Sequence, residues 1–179
     1  GRPPERISAN RITSGREIQG FEGSFKVAWD ARNLYVLVQV SDATPMCNDK
    51  DPASYWNGDC VELFIGTEKV EEGGALRFSD RHILISAAAA DRTYVINAAQ
   101  QPALETVVVR NVDNAGYTLE VALPWTLLGL TPKESSVLLF DLGIDNGDTS
   151  KGRTAQIMWN GSARNSSDRG AWGRLKLMR

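Results

Sequence analysis

The residues best suited to ligand chemistry are Trp56, in a loop, and Glu62, in the alternating stretch that follows it. An exposed indole can cover the apolar C–H face of a pyranose ring, while a carboxylate accepts hydrogen bonds from its hydroxyls. Because side chains alternate along a strand, Glu62 is expected on the opposite face from Val61 and Leu63, a face that is solvated or lies beneath Trp56. The stretch predicts carbohydrate recognition; the alternative is a loop aromatic that only caps the fold.

Two cysteines, Cys47 and Cys60, flank a loop rich in Asn, Asp and Pro. They could close a small disulfide in an oxidising compartment, or Cys60 could be a buried, small apolar residue. A zinc site needs more ligands than two cysteines and the single histidine, His82, supply at these spacings. Structural zinc is therefore not expected.

Length and charge exclude several classes of protein. A chain of 179 residues fits one domain with a sizeable core. Twenty basic and twenty-two acidic residues, without long runs of either sign, lack the basic footprint of a nucleic-acid binder. No apolar run approaches the roughly 20 residues of a membrane-spanning helix. We therefore expect neither a nucleic-acid partner nor a membrane span.

Short runs of β-branched and aromatic residues, separated by turn residues, predict an all-β fold. Residues 1–24 are rich in Gly and Pro and are predicted to form an N-terminal arm, ahead of a domain over residues 25–179. About ten strands and no long amphipathic helix indicate an antiparallel β-sandwich. The predicted strands are 25–30, 34–40, 60–65, 81–86, 93–97, 105–111, 117–123, 137–144, 155–159 and 173–178. At most one short helical turn is expected, over 124–129, where Pro can start a helix and Gly can end it.

The order of several separated motifs carries a family resemblance. The motifs are WD at 29–30, NLYVL at 33–37, VSD at 40–42, WNGDCVELFI at 56–65, GYTLEVALPW at 116–125, LFDLGIDN at 139–146 and WGRL at 172–175. Together they resemble family 9 carbohydrate-binding modules, and the match runs from about residue 25 to 178. The resemblance implies a non-catalytic β-sandwich that binds polysaccharide, some members binding the reducing ends of glucans and xylans.

The resemblance also implies a set of binding residues. Trp56 stands where the family has the first of two tryptophans that clamp a terminal sugar, and Glu62 matches its ligand-binding glutamate. Arg153 falls where the family has a ligand-binding arginine. The family's asparagine is best matched by Asn165, or by Arg164 in its place.

Two positions depart from the family pattern. Residues 166–167 are serines where the second clamp tryptophan is expected, so Trp172 or Trp159 would have to supply that platform, although Trp172 also fits a core position. An arginine of the strand over 81–86 is replaced by an apolar residue such as Leu84. Both departures weaken the prediction of reducing-end glucan specificity.

The resemblance extends to cofactor, partners and location. Calcium is implied as a loop-stiffening ion, with Asp42, Asp145 and Asp148 as candidate oxygen ligands. The expected partners are an oligo- or polysaccharide of the glucan or xylan class and an attached catalytic domain that hydrolyses glycosidic bonds. The expected location is secreted, extracellular or periplasmic.

Three other functions remain as alternatives. A glycosidase would need two carboxylates about 5–10 Å apart in a cleft, but Asp59 and Glu62, three residues apart on one strand, should face opposite sides. Relatives of this fold bind b-type haem, for which His82 and Met46 are the candidate ligands; the polar loop beside Met46 argues against the large apolar opening that a haem pocket needs. The third alternative is a spacer or docking module that binds no ligand.

Overall fold

The computed structural model describes residues 3–66, 74–90, 92–112, 115–148 and 151–178, and it confirms the all-β class. Two antiparallel sheets form a sandwich. The strands of the described residues are β1 (Glu5–Ile7), β2 (Ile12–Gly15), β3 (Glu22–Trp29), β4 (Asn33–Ser41), β5 (Cys60–Gly66), β6 (Arg81–Ser86), β7 (Thr93–Val95), β8 (Glu105–Arg110), β9 (Tyr117–Pro124), β10 (Val137–Asp148), β11 (Gly152–Met158) and β12 (Gly173–Lys176).

One sheet has five strands in the order β1-β3-β4-β9-β8, and the other has seven. The order of the larger sheet is β2-β11-β10-β5-β6-β7, with β12 pairing on β10 beside the β10–β11 ladder. β10 lies at the centre of the larger sheet, where β5 pairs with it from Leu139 to Asp145. Side chains of β5, β10 and β11 therefore converge on one area of this sheet.

The main core lies between the two sheets and follows from the alternation of side chains along the strands. In β4, Leu34, Val36, Val38 and Val40 point inward, whereas Tyr35 is exposed on the outer face of the five-stranded sheet. Val61, Leu63 and Ile65 of β5 meet them from the opposite sheet. This apolar layer fixes which side chains of β5 point outward.

The outer face of the seven-stranded sheet is covered rather than solvated. A 3₁₀ segment, Pro52–Asn57, packs Tyr55 against Cys60 and Leu84 over one part of this face. The segment over 159–172 covers another part, where Trp172 joins a second apolar cluster with Phe64, Leu139 and Met158. Polar side chains that point outward between these two covers are therefore buried.

The short helices agree in part with the prediction made from the sequence. The expected helical turn is an α-helix at Trp125–Leu128, which follows Pro124 and ends at Gly129 with a left-handed φ of 66°. Two 3₁₀ segments, Ala9–Arg11 and Pro52–Asn57, were not predicted. No helix in the described part of the chain is long and apolar enough to cross a membrane.

Residues 3–24, within the segment 1–24 that was predicted as an arm, contribute to both sheets. β1 pairs with β3, and β2 pairs with β11 next to the centre of the larger sheet. Thr13 of β2 donates a hydrogen bond to the side-chain oxygen of Gln156. This part of the chain therefore orients a side chain on the outer face.

Cys47 and Cys60 are free thiols, so the disulfide considered from the sequence is not formed. Their loop is closed instead by Asp59, whose carboxylate accepts hydrogen bonds from the backbone N–H groups of Cys47 at 2.5 Å and Gly147 at 3.0 Å. Asn48 adds hydrogen bonds to the carbonyls of Tyr55 and Asp59. These bonds hold the Pro52–Asn57 cover on the sheet.

The buried carboxyl of Asp59 should make stability depend on pH. Burial raises its pKa from 3.8 to about 6, although the two backbone hydrogen bonds act to lower it. Between these values the folded state binds more protons than the unfolded chain. We therefore expect the contribution of Asp59 to the unfolding free energy to rise, by up to about 3 kcal/mol, as the pH falls from about 7 to 4.

Chemical denaturation across this pH range tests the expectation. Asp59→Asn should flatten the pH profile even if it lowers absolute stability, because the amide does not titrate. Asp49→Asn is the matched control, since Asp49 is exposed and its pKa is lowered by the side chain of Lys50. An unchanged slope in Asp59→Asn would contradict the assignment.

Candidate saccharide site

A pocket of about 320 Å³ opens on the outer face of the seven-stranded sheet, between the two covers. Trp56 comes from one cover and Ser166 from the other, while β5, β6 and β11 supply the floor. The remaining lining residues are Glu62, Phe64, His82, Ile96, Arg153, Gln156, Met158, Ser162, Ala163 and Asn165. The pocket thus combines an aromatic wall with a polar floor.

Trp56 is held at the rim by its neighbours in the 3₁₀ segment. Tyr55 is buried beneath the cover, whereas Trp56 remains 39% exposed. Asn57 accepts a hydrogen bond from the backbone N–H of Arg153 at 2.8 Å, which ties the segment to β11. The guanidinium of Arg153 lies 5.0 Å from the centre of the indole ring, within the range of a cation–π contact. The indole is therefore a fixed, accessible surface.

Glu62 points outward from β5, as the alternation predicted, but it is only 3% exposed. The expectation of a solvated face is wrong because the two covers bury it. Its Oε1 accepts a hydrogen bond from Gln156 Nε2 at 2.7 Å, and its Oε2 lies 2.6 Å from His82 Nε2. Each carboxylate oxygen can accept two hydrogen bonds, so Glu62 retains capacity for ligand hydroxyls.

Arg153 reaches the site from β11, as the resemblance implied. Its Nη1 lies 3.1 Å from Asp145 Oδ1 and 3.8 Å from Glu62 Oε1. Its side chain thus links the buried carboxyl groups to the exposed indole of Trp56. Arg153 can orient the aromatic wall as well as contact a ligand.

His82 and Gln156 belong to the site although sequence reasoning did not place them there. His82 stacks on Phe64, with ring centres 4.3 Å apart, and pairs with Glu62. The residue predicted to take this place, Leu84, packs instead against Tyr55 and Cys60 beneath the cover. His82 lies two residues before Leu84 and therefore on the same face of β6. This spacing was the signal in the sequence that could have placed His82 in the site.

Asn165 is buried, and its side chain organises the second cover. Its Nδ2 donates to Asp141 Oδ2 at 2.9 Å, and its Oδ1 accepts from the backbone N–H of Ser162 at 2.9 Å. A Cβ at Gly161 would lie 2.1 Å from Asn165 Oδ1 and 2.4 Å from Asp141 Oδ2, so this close approach requires glycine. Arg164, the alternative to Asn165, is largely exposed and lies 4.0 Å from Asp168.

Comparison with known proteins identifies the family. The sequence model described as Carbohydrate family 9 binding domain-like matches residues 4–179. The chain belongs to this family. It is a carbohydrate-binding module and does not itself catalyse a reaction.

Relatives of the module show where such domains occur. Endo-1,4-beta-xylanase A of Thermotoga maritima is 27% identical over 176 residues, which make up 98% of this chain but only 16% of that enzyme. A family 9 module from Caldicellulosiruptor kristjanssonii in complex with cellotriose has a TM-score of 0.75 at 20% identity, over 98% of this chain and 82% of that chain. Its complex with glucose gives a TM-score of 0.74 at 20% identity, over 98% and 85% of the chains. At this identity the two structures support the fold.

Trp172 does not provide a second stacking surface in this module. It is only 4% exposed, packs against Phe64 with ring centres 5.5 Å apart, and donates its indole N–H to the carbonyl of Asn165. The expectation of a platform at Trp172 is therefore wrong, and its core position is confirmed. The cover that contains Trp172 contributes only short side chains and Asn165 to the pocket lining, the short ones being Ser162, Ala163 and Ser166.

The three candidate calcium ligands do not form one site. Asp145 is fully buried and accepts hydrogen bonds from Arg153 and Gln156, which line the pocket. Asp42 instead accepts hydrogen bonds from the backbone and side chain of Thr44. Among the described residues, no three His, Cys, Asp or Glu side chains lie close enough to share a metal ion. Asp42, Asp145 and Asp148 therefore do not form a shared calcium site. Calcium binding itself stays a prediction.

The two candidate haem ligands lie on opposite sides of the seven-stranded sheet. Met46 packs against the core between the sheets, whereas His82 lies on the outer face and engages Glu62. Two axial ligands must face a common cavity, and these side chains do not. Their placement gives no support to the haem alternative.

The anchoring role of Asn165 can be tested by truncation. Asn165→Ala would remove the hydrogen bonds that Asn165 makes with the buried Asp141 Oδ2 and with the Ser162 N–H, so we expect a loss of about 1–3 kcal/mol in unfolding free energy. Ser167→Ala, in the same cover but exposed, is the control and should stay close to the unsubstituted protein. Equal denaturation midpoints for the two variants would contradict this role.

Proposed function

We propose that the pocket beside Trp56 binds a sugar of a glucan or xylan chain, with the indole covering the ring and Glu62 accepting hydrogen bonds from its hydroxyls. The observation that carries this proposal is an exposed tryptophan, 39% accessible, next to a buried carboxylate with defined donors on both oxygens. The cellotriose and glucose complexes of the family 9 neighbour support the glucan class. The xylanase relative supports the xylan class.

The wider role follows from the place of the module in larger enzymes. The chain spans 16% of the length of the xylanase relative, so we infer that an attached catalytic domain acts on the polysaccharide that the module holds. Such substrates lie outside the cytoplasm, which favours a secreted or periplasmic location. One aromatic contact and a few water-exposed hydrogen bonds correspond to micromolar to millimolar dissociation constants.

A calorimetric titration of the module with glucose, cellotriose, xylotriose and galactose tests the proposal. Saturable binding to the first three but not to galactose would support the glucan or xylan class. Absence of binding to every sugar by a folded protein would contradict a saccharide site and favour a docking role.

Trp56→Ala should remove saccharide binding while leaving the fold intact. The lost stacking surface corresponds to about 2 kcal/mol or more, which is a weakening of at least about 30-fold. Tyr35→Ala is the matched control, because Tyr35 is similarly exposed at 38% but lies on the outer face of the other sheet. Unchanged affinity in Trp56→Ala, measured by calorimetry, would contradict the site.

Glu62→Gln should weaken binding less, by about tenfold, or about 1.4 kcal/mol. The amide keeps one acceptor oxygen but loses the second and the charge that His82 and Arg153 surround. Glu120→Gln, an exposed carboxylate on β9, serves as the control. Equal affinities for the two variants would show that Glu62 does not contact the sugar.

A further inference from the structure

Asp145 is fully buried, and its two carboxyl oxygens have different environments. Oδ1 accepts hydrogen bonds from Arg153 Nη1 and Gln156 Nε2, both at 3.1 Å. Oδ2 is buried and accepts no hydrogen bond. Burying an ionised carboxylate with one oxygen that accepts no hydrogen bond is energetically unfavourable. A protonated oxygen can instead act as a hydrogen-bond donor.

Glu62 provides the acceptor for such a donor. The same amide nitrogen of Gln156 contacts Glu62 at 2.7 Å and Asp145 at 3.1 Å, so the two carboxyl groups are adjacent. Asp145 Oδ2, which accepts no hydrogen bond, is the atom left to bond with Glu62. Since an ionised carboxylate has no proton to donate, a hydrogen bond between two carboxyl groups requires that one of them is an acid.

Among the charged groups of this cluster, Arg153 is the cation that contacts Asp145, at 3.1 Å, whereas His82 contacts Glu62. The titratable and charged side chains that face it are Glu62 and Cys60 on β5, His82 on β6, Arg153 on β11 and Tyr117 from the opposite sheet. Burial raises the pKa of the Cys60 thiol and of the Tyr117 phenol, so both stay neutral. The single permanent positive charge of Arg153 is therefore shared, since its Nη1 lies 3.1 Å from Asp145 and 3.8 Å from Glu62.

We propose that Asp145 is a neutral carboxylic acid in the folded module and that its Oδ2 proton is donated to Glu62. Asp145 then acts as a positioning residue, because it holds Glu62 as the single anionic acceptor for sugar hydroxyls. This role deepens the proposed saccharide function and rests on it. Loss of the proton at alkaline pH would place a second negative charge next to Glu62 and remove a hydrogen-bond donor from it.

The directions of the pKa shifts agree with this arrangement. Burial, followed by the negative charge of Glu62, raises the pKa of Asp145 well above its usual range, against the lowering effect of Arg153. Burial acts to raise the pKa of Glu62 as well, but the hydrogen bond and charge of His82, with the hydrogen bond from Asp145, lower it overall. The two carboxyl groups are thus driven to opposite protonation states.

The proton can be observed without any ligand. Carboxyl-carbon NMR of aspartate-labelled protein, with the Asp145 signal assigned by its absence in Asp145→Asn, reports the protonation state directly. We expect an acid signal for Asp145 between about pH 5 and 7, while exposed Asp49 gives an ionised signal. An ionised Asp145 signal in this range would overturn the proposal.

Binding measurements test the positioning role. Asp145→Asn keeps an acceptor for Arg153 and a donor for Glu62, so its affinity for cellotriose should stay within about threefold of the unsubstituted module. Its affinity should also depend less on pH than that of the unsubstituted module, which falls by about fivefold or more once Asp145 ionises at alkaline pH. Asp145→Ala, which lacks the donor, should bind at least about tenfold more weakly.

The outcomes separate the two proposals. If Asp145→Asn loses as much affinity as Asp145→Ala, the residue acts as an anionic partner of Arg153 and the positioning role is wrong. If no saccharide binds but the Asp145 signal is that of an acid, the proposed function fails while the proton assignment stands.

Discussion

The burial of two acidic side chains, Glu62 and Asp145, is the constraint on which the rest of the site depends. A carboxylate taken out of water must receive hydrogen bonds or charge from the protein. His82 and Gln156 meet this need at Glu62, and Arg153 meets it at Asp145. Each of these donors comes from a strand whose place is set by the apolar core on the other side of the sheet. The core therefore determines the geometry of the polar floor.

The two covers turn this floor into a pocket, and each is anchored by an aspartate bonded to backbone N–H groups. Asp59 holds the cover that carries Trp56 through Cys47 and Gly147. Asp141 holds the other cover through the backbone N–H of Asn160 and the side chain of Asn165. Burial raises the pKa of both anchoring carboxyl groups, although these hydrogen bonds act against the rise. The rim of the pocket thus depends on the same balance of burial and hydrogen bonding as its floor.

The sequence predicted features that depend on local periodicity and missed those that depend on distant segments. Alternation along one strand was enough to place Glu62 outward, and Pro124 and Gly129 were enough to place the helical turn. The burial of Glu62 was not predictable, because it results from covers that are far from it in sequence. The role of Thr13 was missed for the same reason, since the contact with Gln156 exists only when β2 pairs with β11. Motif order identified the family because it samples the whole chain.

The same pair of carboxyl groups also explains why this pocket suits binding rather than hydrolysis. A glycosidase holds its two carboxyl groups about 5–10 Å apart, so that the glycosidic bond and a water fit between them. Glu62 and Asp145 instead touch a common amide nitrogen, which leaves no room for a sugar between them. Asp59, the other candidate partner of Glu62, is committed to backbone N–H groups in the loop. The acidic residues of the site therefore present one face to a sugar, and Trp56 supplies the wall beside it.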